Sequence, residues 1–164
     1  MEVTLCAGSD TMAWNEHEVY MPLETLRVYV RAQEIAAIIY TAVQGWGPFD
    51  RDTLGRQLTR SADSIASNIA EGYGRSGIGD QLQHLLIADG SAQECKAQIQ
   101  LAEKRNLISI EKAANLLKLT RGLSMGLMAY GASILASHPE YNGRARAIIE
   151  RRNAWLKRRN KGKR

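Results

Sequence analysis

At 164 residues, 45% of them hydrophobic, the chain has room for one domain with a core of its own. Two distant cysteines, Cys6 and Cys95, exclude a disulfide framework and a zinc pattern; the lack of any apolar run of ~18 residues excludes a membrane-spanning helix. The net charge of +5 divides unevenly: residues 138–164 hold ten Lys/Arg against Glu140 and Glu150, and residues 1–137 hold 12 against 15 Asp/Glu, so any electrostatic pull on nucleic acid starts in the tail.

Residues 1–21 show no sustained period and read as an irregular leader without a charged-then-apolar signal segment, so a cytoplasmic setting is expected. Val28, Ala32, Ile35, Ile39 and Ala42 then recur at steps of three and four, the apolar stripe of a first helix. Gly45, Gly47 and Pro48 break it, and Asp50 offers an N-cap for the next. The second helix carries Leu54, Leu58, Ala62, Ile65 and Ile69. It is expected to close at Gly72 or Gly74 in the left-handed conformation.

A third helix repeats Leu85, Ala88, Ala92, Cys95, Ile99 and Ala102 and stops near Asn106. Ser109 is placed to cap a fourth, with Glu111 favouring its positive end. That helix reads Ile110, Ala113, Leu117, Thr120, Ser124, Leu127, Gly131 and Ile134. Gly122 and Gly126 add a line of small residues suited to close helix approach. His138-Pro139 ends it, and residues 143–159 have the pattern of a short fifth helix with Ala145, Ile148, Arg152 and Trp155 on one side. The expected fold is all-α: an antiparallel up-and-down four-helix bundle over residues 22–137, with a basic C-terminal extension at 138–164.

Residues 54–75, LGRQLTRSADSIASNIAEGYGR, resemble the signature of the bacterial four-helix-bundle proteins found in 23S ribosomal RNA intervening sequences. Its core is Ser64, Ile65, Asn68, Ile69, Ala70, Glu71 and Gly72; Leu23–Val28 and Ile87–Glu94 extend the resemblance, which covers about residues 23–130. The accessory proteins of diversity-generating retroelements are similar to the same bundle. The resemblance implies a ring, a homopentamer in known members, with nucleic-acid binding in some and a reverse transcriptase as partner in the retroelement branch. This chain departs from the pattern at Thr59-Arg60, where two basic residues are common, and at Asp89, where arginine is. It departs again at Gly77–Gln81, in place of aromatic and basic residues. These departures move the expected nucleic-acid contact from the bundle wall to the tail.

No residue set has the spacing of a catalytic or metal site. His17, His84 and His138 are isolated, and Ser91 and Cys95 have no histidine partner in the pattern, so neither enzyme activity nor a cofactor is expected. Gly72-Tyr73-Gly74-Arg75-Ser76 lacks the Lys-Ser/Thr of a P-loop and reads as a plain turn or an anion site at a helix N-terminus. Asn68 and Glu71 read as register-fixing hydrogen bonders or as a ligand or subunit contact. Arg56, Arg60 and Asp63 share a helix face and read as a solvated ion-pair row or as a phosphate or subunit contact.

In the tail, Trp155 is interleaved with Arg144, Arg146, Arg151, Arg152, Lys157, Arg158 and Arg159; bases can stack on the indole while the cations meet phosphates. With Arg56, Arg60 and Arg75 on the wall, these are the candidate nucleic-acid-binding residues. The function expected is non-enzymatic binding of RNA or DNA by an oligomer, or else a protein–protein scaffold serving a reverse transcriptase. Leu82, Leu86, Leu116 and Leu123, beside the main stripes, are expected to be covered by subunit contact.

Overall fold

The computed structural model describes residues 22–161, with side chains as far as Trp155 and at Arg158. The irregular leader, residues 1–21, lies outside the described residues, as do residues 162–164 and the side chains of Lys157 and Arg159.

Among the described residues the fold is all-α, built from five helices of 18 residues or more. They are α1 (Arg27–Gln44), α2 (Arg56–Tyr73), α3 (Ile78–Lys104), α4 (Ile110–Ser137) and α5 (Arg144–Lys161). Successive helices pack antiparallel. The first four touch in the order α1–α2–α3–α4, and α1 also meets α4, which closes the circuit around the core. The fifth helix lies on α4 and α3, so the basic tail is a packed element.

The apolar stripes explain the core. Ala32, Ile35 and Ile39 of α1 meet Leu58, Ala62, Ile65 and Ile69 of α2, with Leu85, Ala88, Ala92, Cys95 and Ile99 of α3 completing the wall, all at 2% exposure or less. On α4 the buried line runs through Ala113, Leu116, Thr120, Leu123 and Leu127, not through Leu117 and Ser124. Leu82, Leu116 and Leu123 are therefore core residues of one chain, at 0–1% exposure, and Leu86 packs against the core from its edge. The first three are buried without any subunit contact.

The helix ends differ from the sequence expectation in instructive ways. The segment before α2 starts at Pro48, the first residue of a helical turn that proline tolerates because its missing amide had no partner there. Asp50 makes no capping hydrogen bond. A π-helical turn, Arg51–Gly55, then leads into α2. Among the described residues no glycine has positive φ: α2 runs through Gly72, and Gly74 closes it at φ −78°. Gly72 is needed for space, since a Cβ there would stand 2.8 Å from the Cβ of His84 on α3.

The left-handed cap is instead Asn106, at φ 58°. Its amide donates to the Glu103 carbonyl and that of Leu107 to Ala102, both at 2.9 Å, the paired bonds of a Schellman closure. Ser109 caps α4 as expected, accepting from the Lys112 amide at 3.2 Å. The adjacent helix start holds Glu111 below the usual carboxylate range, through its own backbone hydrogen bond and then the Ser109 hydroxyl.

Candidate nucleic-acid interface

The cationic tail is organised by two contacts that consume charge. Ala145 and Ile149 are the buried face of α5, and Ile149 seats over Gly131, where a Cβ would stand 3.0 Å from its Cδ1. Arg146 ties the α4–α5 connection together: Nε donates to the Tyr141 carbonyl, Nη2 to those of His138 (3.0 Å) and Pro139 (3.2 Å), and Nη1 pairs with Glu150 at 3.0 Å. One turn beyond Ile149, Arg152 pairs with Asp89, which is 3% exposed on α3. The residue that departs from the family pattern on α3 thus receives an arginine from the tail. Ile148 is half-buried beside Ile149, so the inner line is Ala145, Ile149 and Arg152.

Arg144, Arg151 and Arg158 are exposed and make no ion pair among the described residues. Their seven-residue spacing sets them on one face of α5, along about 21 Å of helix axis. Trp155, 52% exposed, lies at the edge of the same face, where it borders a cleft lined by Met128, Ser124 and Gln93. Of the tail residues singled out in the sequence, Arg144, Arg151, Trp155 and Arg158 are brought together; Arg146 and Arg152 point inward.

Arg56 and Arg60 lie elsewhere. They line a groove of ≈ 480 Å³ between α1 and α2, on the face opposite α5. No ion pair joins them to Asp63, so the row is not the ion-pair row considered from spacing. The groove also holds Tyr40 and Arg51, which sequence reading missed. The π-helical turn puts Arg51 above Arg56, a relation that α-helical spacing hides. Arg75, just past the far end of α2, pairs with Glu71, and His84 Nε2 lies 3.6 Å from the same carboxylate. Asn68 donates to the Ser64 carbonyl of its own helix at 2.7 Å and makes no bond across the core.

The polar contact that does cross the core joins α2 and α3. Ser61 Oγ donates to Gln98 Oε1 at 2.6 Å, and Gln98 Nε2 donates to Glu94 at 3.2 Å. Burial pushes the neighbouring Cys95 thiol up to about 12, which keeps it protonated and unreactive. Among the described residues no three His, Cys, Asp or Glu side chains gather as a metal site would require. No helix there is long and apolar enough to cross a membrane.

A family model described as 23S rRNA-intervening sequence protein matches residues 24–129. The fold is similar to a 1.70 Å crystal structure from Bacteroides thetaiotaomicron, that of a protein of unknown function from the S23 ribosomal protein family. The TM-score is 0.58 at 21% identity, over 63% of this chain and 97% of that one. No curated protein is similar in sequence. The matched residues end before α5, so the helix bearing the cationic face lies beyond the family's common part.

Proposed function

Because the chain belongs to the 23S rRNA-intervening sequence protein family, we propose that it is a non-enzymatic nucleic-acid-binding protein that contacts its ligand through α5. In this reading the chain is an up-and-down four-helix bundle carrying one added helix, and copies of it would assemble into a ring as a homopentamer. The observation that carries the reading is the outward row of Arg144, Arg151 and Arg158 with Trp155 beside it. Guanidinium groups on a rigid helix meet backbone phosphates at fixed intervals, and the indole offers a face to a base. Ring assembly presents several such helices to one strand and raises avidity through effective concentration.

The test is a salt titration of RNA and DNA binding. Replacing Arg144, Arg151 and Arg158 by Glu should remove most affinity while leaving the melting temperature unchanged. The slope of log K against log salt should become shallower by roughly 0.7–0.9 for each lost phosphate contact. Wild-type affinity in that variant refutes the role of α5, and a monomer mass by light scattering refutes the ring.

A second reading, a protein scaffold serving a reverse transcriptase, is favoured by one observation. Phe49 and Ile110 are 76% and 71% exposed at the end of the fold where α1 stops and α4 begins. Phe49→Ser with Ile110→Ser should abolish partner capture under this reading and leave nucleic-acid affinity untouched.

A further inference from the structure

We propose that the α1–α2 groove is a pocket for an unstacked nucleotide of single-stranded RNA, a second contact on the face opposite α5. The inference rests on the nucleic-acid reading above, but on different residues.

The groove is shallow and open to solvent, and its ≈ 480 Å³ gives room for one nucleotide laid against its wall rather than an enclosed ligand. Its cations are Arg51, Arg56 and Arg60, all exposed and without an ion pair among the described residues. Its aromatic is Tyr40, 55% exposed on α1. Two carboxylates, Asp52 and Asp63, line it too. That mixture decides the ligand class. A bare phosphate would leave the carboxylates and the phenol ring without a role. A nucleotide has a use for every group: its phosphates pair with guanidinium, its base stacks on the phenol ring, and its amino or imino N–H groups donate to a carboxylate.

The strand must be single. In a duplex the base faces are stacked and the pairing edges occupied, so neither Tyr40 nor Asp63 has anything to engage. The hydroxyls of Thr59 and Ser64 on the same wall are suited to a ribose 2′-OH, which selects RNA over DNA. Because α5 lies over α3 and α4, one strand or two can occupy both faces without collision.

The experiment measures fluorescence anisotropy at low salt with three labelled probes: a short single-stranded RNA of mixed sequence, the same sequence as DNA, and the RNA as a duplex. All the variants alter exposed side chains, and melting temperatures establish that they fold. Tyr40→Ala, and separately Arg56→Gln with Arg60→Gln, should each weaken single-stranded RNA roughly tenfold and leave the duplex unchanged. Asp63→Asn should alter the order of affinity among homopolymeric RNAs. Unchanged single-stranded affinity in the Tyr40 and arginine variants overturns the pocket, while loss on replacing the α5 arginines still upholds the α5 contact. The converse pattern overturns α5 and upholds the groove. Equal affinity for the RNA and DNA single strands overturns the ribose assignment, and no binding of any probe by the wild-type protein overturns both.

Discussion

Adding one methyl group at Gly72 tests how α2 and α3 are held together. The Cβ of Gly72→Ala would stand 2.8 Å from the Cβ of His84 and 3.2 Å from the Gln81 carbonyl. Neither atom is the free end of a side chain, so α3 itself must move. Overpacking of this kind costs ~1–3 kcal/mol. The opposing gain in helix propensity is at most ~1 kcal/mol, and less in the last turn, where Gly72 sits. Packing wins, and the net loss is about 1–2 kcal/mol. For a chain of this size that lowers the melting temperature by ~2–8 °C. Gly90→Ala is the control: Gly90 lies inside α3 with nothing within 4 Å of its Cβ position, so this change should raise the melting temperature. His84→Gly removes the opposing Cβ, so the double variant should recover ~1–2 kcal/mol relative to the sum of the singles. If Gly72→Ala stabilises the protein as Gly90→Ala does, or the coupling is zero, the close-approach account is refuted.

Ile69→Ala removes a side chain 1% exposed at the α2–α3 contact and should cost on the order of 2–5 kcal/mol by chemical denaturation; an unchanged midpoint contradicts the placement. Arg152→Ala strands the Asp89 carboxylate. A fully buried pair would lose ~3–5 kcal/mol, but Arg152 is 44% exposed, so about 1–2 kcal/mol is expected, with faster amide exchange confined to α5. The Cys95 thiol, raised from 9.0 to about 12, keeps its proton in the fold at pH values where the unfolded chain has lost it. Its contribution is complete below about pH 9 and declines toward pH 12, by up to ~1.4 kcal/mol per pH unit, so Cys95→Ala should flatten the alkaline fall in stability.

What was legible in the sequence follows from what each signal measures. Three-four periodicity reports which face of a helix meets the core, and it placed α2, α3 and most of α1 well because their stripes are single and apolar; at the end of α1 it chose Ala42, where Val43 is the buried residue. It was ambiguous on α4, where two lines of comparable hydropathy run side by side; packing selected Leu116 and Leu123 over Leu117 and Ser124. Of the two glycines there, Gly126 is approached by Val28 at 3.1 Å, whereas Gly122 has open space. Gly131 and Asp89 carried the information that α5 would dock, but each acquires that meaning only with a partner more than a dozen residues away in the chain. The groove was half legible: Arg56 and Arg60 follow α-helical spacing, whereas Arg51 joins them through a π-helical turn and Tyr40 through tertiary packing.

Counting charges in the tail overstates what it can offer a ligand, and this has a measurable consequence. Ten Lys/Arg stand in residues 138–164, but Arg146 is committed to the α4–α5 connection and Arg152 to Asp89. Eight cations per chain remain at most. With each neutralised phosphate adding roughly 0.7–0.9 to the slope of log K against log salt, α5 and the residues after it can supply no more than about 6–7 per chain. Two single variants separate the structural arginines from the binding ones. Arg146→Ala should lower the melting temperature, because three backbone carbonyls lose their donor, and should leave the salt slope unchanged. Arg151→Ala should leave the melting temperature unchanged and lower the slope by about one contact. Equal effects of the two on the slope would mean that α5 leaves the bundle when it binds, because only an undocked helix can present both side chains to one strand.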